Sequence, residues 1–208
     1  MQDHQPIITF DCLKSDLEQA TYLLVSSKLF VEDLEYIHNS KKQHPVAFNT
    51  YAWFFLRTYH AIVHILIIDL YKLFGDKEAY SLIKFGRRLQ ESTDAELKKR
   101  ICKTRLHELN QVLVEKDITY ELKKVERTRN KYYAHLDRKR PSFDEIRISS
   151  EQIRSFLRVA EYYIQTIRHW FGMPDASFEN TKSELGHRFF ERLSEWEQYR
   201  EKYGLLPR

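Results

Sequence analysis

The sequence predicts an all-α fold, a helical bundle with additional helices spanning 1–208 as one domain, and three observations carry that expectation. Glycine and proline are scarce, five of each in 208 residues, which leaves little room for turns. Interior prolines fall only at Pro45, Pro141 and Pro174, and between them apolar residues recur at helical rather than alternating spacing. Helix-start signatures sit where that periodicity begins. No stretch reads as a strand and no internal repeat is visible, so helix packed on helix is the architecture that buries the apolar stripes.

The first helix runs from Leu13 to about His38, with Leu17, Leu24, Leu34 and Ile37 among its apolar positions. Val46 to Phe74 is the second, closed by Gly75 in the place that favours a helix C-terminus. Shorter helices are expected over Ala79 to Gln90 and Ala95 to Glu115, the latter opened by Thr93 with Glu96 three residues on, a capping box. Asp117 caps the next helix, which runs into Pro141. Ser149 with Gln152 forms a second capping box and opens a helix to Phe171. A last helix spans Ser177 to Tyr203, so that 176–208 reads as a C-terminal helical extension packed on the bundle through Phe189, Phe190 and Trp196.

Asn49 to Phe74 is apolar nearly all round, as expected of a helix central to a bundle or pinned in a dimer interface. A membrane span is not expected, because Arg57, His60, His64 and Asp69 interrupt the run before the roughly 20 apolar residues that spanning needs. At about 100° per residue, Thr50, Trp53, Arg57, His60 and His64 share one stripe. His60 and His64 lack a third ligand, and no glutamate follows the first histidine as in zinc proteases, so the stripe reads as a polar seam and no metal is expected.

Charged residues at 31% and hydrophobic ones at 42% exclude a disordered or membrane composition, and 208 residues suffice for one core. Two cysteines, Cys12 and Cys102, exclude a disulfide scaffold and cannot alone hold zinc; both are expected as buried filler. Residues Met1 to Asp11 lack the basic start and apolar run of a secretory signal, so a reducing cytoplasm is the expected location.

Charge points to a nucleic-acid partner at one place. Between Glu121 and Arg140 eight basic residues, Lys123, Lys124, Arg127, Arg129, Lys131, Arg138, Lys139 and Arg140, face three acidic ones, a net of +5. The whole chain carries +4, which leaves −1 for everything outside this segment. A phosphate backbone would dock there.

The same segment holds the stretch Arg129-Asn130-Lys131-Tyr132-Tyr133-Ala134-His135-Leu136-Asp137. An arginine is a permanent cation whose planar fork matches phosphate oxygens, and a histidine moves protons near neutral pH; together they suggest phosphodiester chemistry without a metal or other cofactor. Arg129, the polar Asn130 after it and Ala134-His135 resemble the signature of the HEPN superfamily, in which an arginine and a histidine four to six residues apart mark metal-independent ribonucleases. The trailing Asp137, the long apolar helix upstream and the overall length resemble its abortive-infection branch. The resemblance implies an up-down core of four long helices and an endoribonuclease acting as a toxin or phage-defence effector, with RNA as partner.

On an unbroken helix Arg129 and His135 differ by about 240° in azimuth and about 9 Å along the axis, so they do not share a face. Either the helix bends or ends near His135, or two copies of the motif face each other across a dimer axis. HEPN relatives commonly dimerise in that way, and the resemblance implies a homodimer with a composite site. His135 would then be the general acid or base and Arg129 the phosphate clamp, while Asn130 bonds the scissile phosphate or holds the arginine. Arg127, Lys131, Arg138, Lys139 and Arg140 would grip the RNA backbone, Tyr132 and Tyr133 stack on bases, Asp137 orient His135, and Arg57 line the same cleft. RNA supplies its own nucleophile, the 2′-hydroxyl, so the expected products carry a 2′,3′-cyclic phosphate and a 5′-hydroxyl.

Two other readings stand beside this one: a non-catalytic HEPN-like module that binds RNA, a nucleotide or a protein, and an all-helical scaffold whose Arg129 and His135 are structural. A protein antitoxin is a further partner to consider. In pairs with a nucleotidyltransferase antitoxin a tyrosine usually lies two residues after the histidine, and here that position is Asp137.

Overall fold

A computed structural model describes residues 8–133, 148–176, 191–193, 195–196, 198–199 and 202, with only the backbone path given at 116, 117 and 131–133. The fold is all-α, and the described residues contain no strand. In order, α1 is Phe10–Gln43, α2 Pro45–Thr50, α3 Ala52–Phe74, α4 Leu82–Glu91, α5 Ala95–Arg100, α6 Lys103–Leu113 and α7 Lys116–Arg127. A π-helical turn, Thr128–Tyr133, continues α7, and α8 is Ser150–Trp170. Helical backbone recurs at 191–193, 195–196, 198–199 and 202.

The long helices form the core. α1 packs on both α3 and α8, α3 packs on α7 and its π turn, and α4 with α6 makes a side layer that meets α8 through α6. Leu13, Leu17 and Leu24 of α1, Leu66, Leu73 and Phe74 of α3, and Ile164 and Ile167 of α8 are all fully buried. Each such side chain contributes about 1.5–3 kcal/mol by leaving water. A second cluster joins Ile37, Phe55 and Ile62 to Phe48, Tyr51 and Leu193, so the C-terminal helical residues touch the bundle where α1, α2 and α3 meet.

The helices are more divided than periodicity alone suggested, and packing explains where. The second expected helix breaks at Tyr51 (φ −112°, ψ 27°). Across that break Phe48 and Phe55 stack with centroids 5.1 Å apart. Seven residues on a straight helix would separate them by about 10.5 Å, so the kink is what lets the rings meet. Likewise Ala95 to Glu115 is two helices. Leu97 and Leu106 are both buried, yet nine residues of continuous helix would put them on opposite faces, and extended backbone at Ile101 and Cys102 turns both inward.

Caps differ in the same local way. The fifth helix is capped by Asp94, not Thr93; its Oδ1 accepts from the backbone N–H of Glu96 and Leu97 at 2.8 and 3.1 Å. α7 begins at Lys116 after Glu115, so Asp117 lies inside the first turn rather than at the cap. At α8 the capping box is as expected: Gln152 N–H donates to Ser149 Oγ at 3.1 Å, and Ser149 N–H donates to Gln152 Oε1 at 2.8 Å. Ser149→Ala should cost about 1 kcal/mol in urea unfolding, and Ser149→Asp should restore it. A change below a few tenths would mean that α8 does not rely on this cap.

Both cysteines are exposed, not buried. Cys12 sits in the first turn of α1, where its sulfur accepts from Arg88 Nη2 at 3.3 Å, and Cys102 lies in the short connection between α5 and α6.

α3 changes character along its length. Its C-terminal half is core, whereas Trp53, Phe54, Leu56 and Ile65 in and beyond its first turns are exposed, Trp53 at 76%. By length and composition α3 is apolar enough to cross a membrane; its interruptions do not take it below that measure. One interruption, Asp69, is buried and paired with Lys72 Nζ at 3.4 Å. Burial holds its carboxyl above the usual carboxylate range, opposed by Lys72. A group whose folded-state value is raised destabilises the fold as pH rises through it. Asp69→Asn should therefore be more stable than the wild type at neutral pH, the advantage shrinking on acidification. A less stable variant at neutral pH would mean that the Lys72 pair outweighs burial.

Candidate functional site

The candidate site begins where α7 stops being an α-helix. Val125 and Thr128 are buried and anchor this end on α3, with Ile118 and Leu122 packed behind them. Thr128 Oγ donates to the Lys124 carbonyl at 2.8 Å, and the same carbonyl also receives the Thr128 backbone N–H. A hydroxyl competing for a helix carbonyl loosens the ordinary ladder, and the backbone continues as a π turn through Tyr133. Single π turns inside α-helices are rare and recur at functional sites. Because the π turn is wider than an α-helical one, the 100°-per-residue arithmetic no longer holds across the motif.

The π turn presents Arg129 to the far end of α3. Its guanidinium carbon lies 4.2 Å from the centroid of the Tyr71 ring, Nη2 is 3.7 Å from Glu78 Oε1, and Nη1 donates to Asn130 Oδ1 at 3.3 Å. The aromatic face, the carboxylate and the amide surround a half-buried cation. A planar guanidinium resting on a ring keeps its N–H groups at the edges, where a phosphate oxygen can compete for them with Glu78.

Gly75 makes this arrangement possible. It closes α3 as expected, and its backbone there is extended (φ −71°, ψ 124°). Its role is close approach: a Cβ there would lie 2.5 Å from the Tyr71 carbonyl oxygen, 3.1 Å from Tyr71 Cζ and 3.2 Å from Glu78 Cγ. The Tyr71 ring thus folds against the chain leaving α3. Its hydroxyl is pushed above the usual tyrosine range by burial first and then by Glu126, with Arg129 acting in the opposite direction and Glu78 and Asp76 reinforcing the rise. Three carboxylates therefore stand near this ring, two of them from the α3–α4 connection.

The local charge is consequently more balanced than its sequence count. Lys124 pairs with Glu121 at 2.8 Å and lies over the Tyr120 ring, Arg129 pairs with Glu78, and Lys123 and Arg127 are exposed. Ala134, His135, Asp137, Arg138, Lys139, Arg140 and Pro141 lie outside the described residues, as do the side chains of Lys131, Tyr132 and Tyr133.

Arg57 is not brought to Arg129. It is exposed on the first half of α3, fourteen residues before Tyr71, which is about 21 Å of helix. His60 is exposed and His64 half-buried on the same stripe, and the described residues contain no group of three or more His, Cys, Asp or Glu side chains arranged for a metal ion.

Sequence reasoning missed Tyr71 and Glu78. Tyr71 stands in an apolar run and reads as core, which it also is at 8% exposure, so only its contact distinguishes it. Gly75 was the available signal, since a glycine can mark close approach as well as a helix end.

Comparison with characterised proteins and with solved structures gives no match. The family described as HEPN_AbiU2, AbiU2, matches over residues 10–178, from the first turn of α1 to beyond α8 and through the whole arginine–histidine motif. The chain therefore belongs to the HEPN_AbiU2 family, an abortive-infection-like branch of the HEPN superfamily.

Proposed function

We propose that this protein is a metal-independent endoribonuclease of the HEPN type that acts as a toxin or phage-defence effector in the cytoplasm. The observation that carries the reading is Arg129 seated on Tyr71 inside a π turn, in a chain of this family. A cation held in place, whose Glu78 partner a phosphate oxygen can displace, suits a phosphodiester whose transition state gathers negative charge.

In the proposed mechanism the RNA 2′-hydroxyl attacks the adjacent phosphorus, the 5′-oxygen leaves, and a 2′,3′-cyclic phosphate forms. His135 moves the proton at the attacking or leaving oxygen, Arg129 binds the nonbridging oxygens, and Asn130 steadies Arg129 or donates to the phosphate. Lys131, Arg127, Arg138, Lys139 and Arg140 hold the backbone, Tyr132 and Tyr133 stack on bases, and Asp137 orients His135. The site is composite in a homodimer, with the motif of each copy facing the other.

The test is to incubate the purified protein with end-labelled structured RNA in excess EDTA. Cleavage supports the ribonuclease. Retardation of intact RNA on a gel supports a non-catalytic binding module, and neither result leaves a scaffold.

A further inference from the structure

Tyr71 both belongs to the central core and touches the candidate phosphate-binding group. Its ring is 8% exposed and lies among the buried side chains that join α1, α3 and α8, so it moves little. One face of it carries the Arg129 guanidinium at 4.2 Å. Gly75 leaves the space behind it, with room for no side chain there. An arginine on a helix surface is otherwise a long, rotamer-rich side chain, and ordering it as the substrate arrives opposes catalysis.

We propose that Tyr71 is a positioning residue for phosphodiester cleavage: its ring fixes the plane of the Arg129 guanidinium before RNA binds, so that the N–H edges meet the phosphate already oriented. The proposal rests on the reading of Arg129 as the phosphate clamp. The ring face carries the function and the hydroxyl does not, since the contact is between the guanidinium and the π face. Tyr71 acts through Arg129 alone, so removing the ring has no further consequence once Arg129 is gone.

The experiment compares full-length wild type with Tyr71→Leu, Tyr71→Phe, Arg129→Ala and the double variant Tyr71→Leu/Arg129→Ala, each normalised to its folded fraction by circular dichroism. RNA cleavage in EDTA is read as kcat and KM separately. The side-chain proton shifts of Arg129 are followed by NMR as a readout independent of activity, because a guanidinium stacked on a ring is shifted by the ring current. Tyr71→Leu should lower kcat about 10- to 100-fold with KM changed much less, as expected for a misplaced catalytic group. It should also abolish the ring-current shift. Tyr71→Phe should bring both readouts back to within about threefold of wild type, and the double variant should cleave no more slowly than Arg129→Ala.

A Tyr71→Leu protein with wild-type kcat overturns the proposal, and so does an equal loss from Tyr71→Leu in the presence and absence of Arg129, which is the mark of a structural role. Failure of Tyr71→Phe to recover activity also overturns it, since the hydroxyl would then be the active part. A wild-type protein that does not cleave RNA sinks the ribonuclease reading and this proposal together, and that outcome is visible before any variant is compared.

Discussion

His135→Ala is expected to lower RNA cleavage by about 10²–10⁴-fold, the range that a positioned general acid or base supplies. Arg129→Ala is expected to cost about 10²–10³-fold, as for removal of one preorganised group at a developing oxyanion. The two losses should fall mainly on kcat, since both groups act where charge and protons move rather than where the RNA is first gripped. Arg129→Lys should recover little: an ammonium keeps the charge but not the planar fork that lies over the Tyr71 ring. Single-turnover cleavage of a labelled RNA in EDTA checks all three variants. Equal activity in wild type and His135→Ala would remove the histidine from the chemistry.

The largest effect on stability is expected at Phe74. This side chain is fully buried at the end of α3, its ring 5.2 Å from that of Phe156 on α8. Phe74→Ala removes apolar volume that neighbouring helices cannot refill, at a cost of about 3–5 kcal/mol. The lost aromatic pair accounts for about 0.5–1.5 kcal/mol beyond area burial. Against a typical total of about 5–15 kcal/mol, that is a large share of the fold. Phe74 precedes Gly75, the point at which the chain folds back on Tyr71, so a variant that still folds should also hold Arg129 less firmly. Urea unfolding checks the first effect and RNA cleavage at low temperature the second. A loss below about 1 kcal/mol would place the stability of the bundle elsewhere than the seam between α3 and α8.

What the sequence made legible was what local chemistry decides. Ser149 and Gln152 satisfy each other's backbone within one turn, and their capping box is present as read. Long apolar stripes and scarce glycine and proline fixed the all-α class, because a helix needs only its own residues to close its hydrogen bonds. Breaks inside helices were harder. At Tyr51 the deciding contact is the stack of Phe48 on Phe55, and at Ile101 it is the need to bury Leu97 and Leu106 together. Neither residue carries a helix-breaking side chain. The second case was recoverable, since the two leucines fall on opposite sides of one continuous helix.

At the site, Arg129 and Asn130 stood out by residue type, whereas Tyr71, Glu78 and Gly75 did not. Their meaning lies in a contact between distant parts of the chain, and such contacts leave no periodic trace in sequence. The charge count missed a neighbour for the same reason: Glu78 stands outside the basic segment in sequence and pairs with its Arg129 in space. Arg57 erred in the other direction. It shares a helix with Tyr71, but a helix of 23 residues is about 34 Å long, and a shared helix is not a shared cleft.

The most direct test of the central claim is the chemistry of the RNA ends produced in excess EDTA. The account predicts 2′,3′-cyclic phosphate and 5′-hydroxyl ends from the wild type, and their disappearance from His135→Ala and Arg129→Ala proteins that remain folded. Products with 3′-hydroxyl and 5′-phosphate ends, or cleavage that both variants retain, would contradict it.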